Sequence, residues 1–353
     1  MAAAVLATLG GPFAAATEPA GTDEGAVDPA AAILAYTRAI ESTAGPPELL
    51  AALYQSRCQM RVMTGAFDDA LADCDRAVDL DPALAVAYAS RGEAALGAGR
   101  LLQASEDFAA AIALDPELAP LQAVRGRVLV RLERWQEAAE ALTDALAHDA
   151  AAVDLYALRG SVWLALDDPA AALIDFGSYL RGGGDPVTAH LGRARAQQAL
   201  GNPASAMAEA EQVLATAPDR LDALVLLADA AAAADRLPAA IDAVERALAL
   251  APDTRALLRR AAGFYLEAGR QAEALAMLDR LVALDAAGAD VLRTRAGLNA
   301  ANGDLAAAAA DLQRLVADGD ATAGDRLQLA VLHARLGDTD AALAVLSALI
   351  GDR

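Results

Sequence analysis

Lysine is absent from all 353 residues: the 28 basic side chains are arginines, set against 49 acids for a formal net charge of -21. A chain this acidic has no general positive field, which argues against nonspecific binding to nucleic acid or to an anionic lipid surface. Aromatic residues are only 4% while the hydrophobic total is 56%, so most of the apolar content is alanine. That composition favours helices in close contact over a thick core. Histidine is equally scarce, and His148, His190 and His333 are spaced too widely to build a metal site. No cysteine or serine has a histidine partner in a recognisable motif, no glycine-rich loop follows a strand, and no strand pattern is present. The expectation is an all-α chain that is not an enzyme, with no catalytic residue, cofactor or metal.

Long apolar runs are also missing. Residues 1–16, MAAAVLATLGGPFAAA, carry no charge and end in small residues before the acidic stretch 17–28, TEPAGTDEGAVD, which reads as a flexible linker. The first stretch resembles the apolar region and cleavage site of a secretory signal without its positive start. Two readings stay open: export to a periplasm or the outside, or an alanine-rich tail on a cytoplasmic protein. An integral membrane span is not expected, because Gly10, Gly11 and Pro12 interrupt a stretch shorter than the roughly 20 apolar residues a span requires.

What the chain does have is a period. The 34-residue unit Ala85 to Leu118 returns without insertion or deletion, and its Ala104 recurs as Ala70, Ala138, Ala172, Ala206, Ala240, Ala274, Ala308 and Ala342. A fixed period of this length fixes the architecture before any local motif is read. The units run 51–84, 85–118, 119–152, 153–186, 187–220, 221–254, 255–288, 289–322 and 323–353, and residues 29–44 look like the second half of a degenerate repeat. Within each unit, positions 4, 7, 8 and 11 mark one helical face and positions 20, 24 and 27 a second, so each unit holds two helices. Position 15, between them, is Gly65, Gly99, Glu133, Asp167, Gly201, Asp235, Gly269, Gly303 and Gly337, a place where a left-handed residue stops a helix.

With a small residue at position 8, alanine at 20 and 27, an apolar residue at 24 and proline near 32, these units resemble tetratricopeptide repeats over residues 51–353. The resemblance implies a solenoid of about nine helix-turn-helix units in a right-handed superhelix, with the first helices lining a concave groove. It says little about function, because the pattern residues are packing residues.

Internal alignment brings out one pairing. Arg57 goes with Asp73, Arg91 with Asp107, Arg159 with Asp175, Arg193 with Glu209 and Arg295 with Asp311, at positions 7 and 23, while Leu227, Ala261 and Leu329 face apolar residues instead. Antiparallel helices turning near position 15 place 7 beside 23, so the pairs read as partly buried framework bridges. Arg125, opposite Ala141, breaks the rule. Cys58 and Cys74, at positions 8 and 24 of the first unit, are opposite each other by the same geometry. They are either a disulfide stapling that hairpin or two small buried thiols. In the fourth unit, Tyr179 at position 27 and the run Gly182, Gly183, Gly184 are expected to loosen the contact with the fifth.

By the resemblance, the groove wall comes from positions 2, 5, 9, 12 and 13 of the first helices. The candidate peptide-contacting residues are Glu93, Leu96, Arg127, Val130, Arg131, Leu164, Leu191, Arg195, Val225, Arg259 and Arg293. The family's carboxylate clamp uses lysine, so it cannot be carried over. An arginine-dotted, otherwise apolar groove in an acidic protein suits a protein or peptide segment with apolar anchors and some acidic groups. The alternative is a regulatory or assembly subunit that docks, or forms a homodimer, through the apolar Leu343, Leu346, Leu349 and Ile350 of the last unit.

Overall fold

The computed structural model describes residues 28–285 and 288–351; the signal-like segment, and the linker apart from Asp28, lie outside them. Among the described residues there are nineteen α-helices and no strand. The chain divides into two compact units after Leu200. The first holds α1 (Pro29–Ser42), α2 (Pro47–Met63), α3 (Phe67–Leu80), α4 (Ala85–Gly97), α5 (Leu101–Leu114), α6 (Leu121–Arg131), α7 (Trp135–His148), α8 (Val153–Ala165), α9 (Pro169–Arg181) and α10 (Pro186–Ala199). The second holds α11 (Pro203–Thr216), α12 (Leu221–Ala233), α13 (Leu237–Leu250), α14 (Arg255–Glu267), α15 (Gln271–Ala283), α16 (Ala289–Ala301), α17 (Leu305–Asp318), α18 (Ala323–Arg335) and α19 (Thr339–Gly351). Even-numbered helices are the first helices of repeats, and odd-numbered helices from α3 onward the second.

The turn inside each hairpin follows from one residue. All nine position-15 residues have positive φ, from 57° at Glu133 and Asp235 to 88° at Gly303. The left-handed residue lets the next N–H reach back over the helix end. Ala66 N–H bonds the Arg61 carbonyl at 2.9 Å, and Arg100 N–H bonds that of Ala95 at 2.8 Å. The orphan carbonyls at the helix end are thereby satisfied.

Packing within a hairpin sets a small residue at position 8 against a large one at position 24. A Cβ on Gly92 would lie 2.7 Å from the Phe108 ring, and one on Gly126 would lie 2.7 Å from Leu142. The glycines therefore let the two helices close on a fully buried side chain, Phe108 or Leu142. In the first repeat a disulfide between Cys58 and Cys74, Cα atoms 5.6 Å apart, occupies the same two positions. Cores run on from repeat to repeat: Cys58, Cys74, Ala95, Phe108 and Val128 belong to one cluster in the first unit. Leu292, Leu312, Leu315 and Leu329 belong to one in the second.

The junction between the fourth and fifth repeats closes where loosening is expected. Tyr179 is buried against Gly184, whose Cβ, if present, would sit 2.3 Å from the ring. Gly192 on α10 likewise lies against Phe176. The glycines make room for the rings, so the larger residue at position 27 is accommodated by backbone approach.

Candidate protein-interaction surface

Within each unit, second helices contact the first helices that flank them in sequence, whereas several first helices of the first unit also touch one another: α2 meets α4, and α8 meets both α6 and α10. The sides of α2 with α4, and of α6 with α8 and α10, that face away from the second helices are therefore two shared surfaces.

Their charged points differ in how far they are committed. On α4, Glu93 is solvent-exposed, and partial desolvation by the surrounding helices pushes its carboxyl above the ordinary carboxylate value. On α6, Arg127 is half-buried and Arg131 exposed, and neither bonds a described side chain. Leu96 on α4 and Leu164 on α8 are half-buried, as is Arg195 on α10. Two expected wall residues are instead core. Val130 is 0% exposed and clusters with Leu142, Leu155 and Val162, because the next repeat covers that side of α6. Leu191 is 4% exposed on α10, which packs on both α8 and α9. A residue flanked by a neighbouring first helix is drawn into the seam if it is apolar.

In the second unit the expected basic points are tied to the next repeat. Arg259 Nη1 lies 2.6 Å from Asp290 Oδ2. Arg293 donates to Asp325 at 2.9 Å and to the Asp320 carbonyl at 2.7 Å. Desolvation works upward on Asp325, but hydrogen bonds from Thr322 and Arg293 hold its carboxyl below the usual range. Asp229 is taken by Arg260 at 2.8 Å, and Val225 is half-buried. Sequence reasoning missed these bridges between repeats. Their signal was an acid 31 or 32 residues from an arginine, two or three short of the period.

Four of the framework pairs form. Arg57, Arg91 and Arg159 approach Asp73, Asp107 and Asp175 at 2.6, 2.6 and 2.8 Å, and Arg295 donates to both Asp311 oxygens from its Nε and Nη2. Arg193 and Glu209, the fifth expected pair, fall in different units. Each of the four arginines also reaches back to the preceding hairpin or helix: Arg57 to Thr37, Arg91 to Asp75, Arg159 to Thr143 and Arg295 to Asp279, at 3.0 to 3.1 Å. Tyr54, Tyr88 and Tyr156 lie beneath the first three guanidiniums, with centroids 5.3 to 5.9 Å away. These arginines thus join three helices, and they are framework residues, not ligand residues.

Among the described residues no group of three or more His, Cys, Asp or Glu side chains could hold a metal ion. Nor is any described helix long and apolar enough to cross a membrane.

Residues 124–186 and 191–255 match the family model of the tetratricopeptide repeat. A tetratricopeptide repeat protein from Parabacteroides merdae is similar in structure, at 19% identity over 69% of this chain and 97% of its own, with a TM-score of 0.50. So is the C-terminal part of a tetratricopeptide-repeat protein from Cytophaga hutchinsonii, at 16% identity, 66% and 94% coverage, and a TM-score of 0.51. Both likenesses establish the fold. No curated protein matches the chain.

Proposed function

We propose that this chain of tetratricopeptide repeats is a non-enzymatic protein-interaction scaffold that holds a peptide or protein segment on the first-helix face of its first unit. The observation that carries the reading is the contrast between α6 and the second unit. Arg127 and Arg131 have no bond to a described side chain, whereas Arg259 and Arg293 are each held by an aspartate. These guanidiniums, with the half-buried Leu96 and Leu164 on neighbouring first helices, suit a segment with an acidic group and apolar anchors. The test is recovery of partners by the full chain and by Arg127→Ala with Arg131→Ala. A partner lost with the substitutions, and bound more weakly at higher salt, supports the reading. An unchanged set of partners overturns it.

A second reading rests on α19, where Leu343 and Ile350 are 62% and 73% exposed. A regulatory or assembly subunit, or a second copy, would dock there, and Leu343→Glu with Ile350→Glu would then abolish the association that the arginine variants leave intact.

Export to an oxidising compartment fits the Cys58–Cys74 disulfide. Two free thiols in the denatured, unreduced protein taken from its own cells would sink that part of the proposal.

A further inference from the structure

Repeat 3 departs from the framework pattern at a single arginine. In repeats 1, 2, 4 and 8 the position-7 arginine grips an aspartate across the hairpin and a side-chain oxygen of the preceding repeat. Arg125 has neither. Its partner across the hairpin is the fully buried methyl of Ala141. Sixteen residues before it, where Arg91, Arg159 and Arg295 find Asp75, Thr143 and Asp279, the chain has Ala109. Gln122 replaces the stacking tyrosine.

What remains is one long contact, Arg125 Nη1 to Gln122 Oε1 at 3.4 Å, and Gln122 itself donates to the exposed Asp144 at 3.3 Å. Arg125 Nε is buried and has no hydrogen-bond partner among the described residues. A guanidinium cannot shed its proton, so this charge stays whatever surrounds it. Nor does the fold require it, because repeat 6 places Leu227 opposite Ala243 at the same two positions. A lone arginine kept against an alanine, where leucine would serve, calls for an acceptor.

We propose that Arg125 is an anion site that takes a carboxylate from outside the chain, in the role that the position-23 aspartates play in repeats 1, 2, 4 and 8. The planar fork of the guanidinium matches a carboxylate through two parallel hydrogen bonds, and the side chain is only half-buried. The carboxylate has two sources, a small free acid or an aspartate or glutamate borne by a bound protein. The site differs from Arg127 and Arg131 and does not depend on their reading.

The test uses the full chain and compares hydrogen exchange of α6 and α7 amides in sodium acetate and in sodium chloride at equal ionic strength. A second arm adds a short glutamate-rich peptide. Acetate is expected to slow exchange several-fold in the unsubstituted protein but not in Arg125→Leu, which has the repeat-6 pairing. It should also have no effect in Ala141→Asp, which supplies the carboxylate internally and should itself slow exchange. Protection by the peptide at concentrations far below those of acetate assigns the carboxylate to a protein; protection by acetate at the same concentrations as the peptide assigns it to a free acid. The same acetate effect in all three proteins, or none from either probe in the unsubstituted chain, overturns the proposal, as does faster exchange in Ala141→Asp.

Discussion

Replacing Arg91 by leucine strands the Asp107 carboxylate, whose side chain is 5% exposed against 19% for Arg91. Burial already pushes the Asp107 carboxyl above the ordinary aspartate value, with the hydrogen bond and charge of Arg91 pulling the other way. Removing one partner of a buried pair costs about 3–5 kcal/mol, and the partial exposure of Arg91 places this case at about 3. Removing both charges, as Arg91→Leu with Asp107→Ala, recreates the Leu227 and Ala243 pairing of repeat 6 and should cost no more than about 1 kcal/mol. The sign with pH follows from the raised value. A carboxyl whose folded pKa exceeds its unfolded one takes up its proton in the folded state first, so the penalty of the stranded charge is relieved as pH falls from neutral toward the ordinary aspartate range. The single variant should therefore regain stability relative to the unsubstituted protein over that window, while the double variant stays level. Urea unfolding read together with native-state hydrogen exchange of α4 and α5 measures both, since a repeat array need not unfold in one step. A single variant no worse than the double, or a loss independent of pH, would refute the reasoning and make Arg91 a packing residue.

Gly92→Ala should destabilise the second hairpin by about 1–3 kcal/mol through overpacking on Phe108. The thermal midpoint should fall, and Phe108→Leu in the same chain should recover part of the loss. Asp167, at φ 61°, carries left-handed strain worth about 1–2 kcal/mol, partly offset by glycine's greater freedom when unfolded. Asp167→Gly should thus raise the melting temperature slightly, and a clear fall would count against the turn assignment. Reducing the Cys58–Cys74 disulfide, which spans 16 residues, should cost about 3 kcal/mol by loop-closure entropy. The loss should show as faster exchange confined to α2 and α3.

Some features were legible in the sequence because they depend on distances along one hairpin. The helix stop at position 15 is a backbone preference, and even Glu133, Asp167 and Asp235 adopt it, since the flanking helices impose the turn. The pairing of position 7 with 23 needs only two antiparallel helices and a fixed turn, and Arg57, Arg91, Arg159 and Arg295 obey it. The 34-residue period therefore determined, by itself, the helix pairs and the four framework ion pairs within hairpins.

Only the tertiary structure decided what each side chain meets between repeats. Val130 and Leu191 read as groove wall yet are core, because whether such a position is covered depends on how closely the next first helix approaches. Arg259 and Arg293 read as free yet are bound, because the acids that take them come from the following repeat. Helical periodicity assigns a residue to a face of its own helix, but exposure and free charge are set by the neighbour across the seam. That is why the sequence singles out Arg127 and Arg131 together with Arg259 and Arg293, while only the packed repeats separate the first two from the pair held by aspartates.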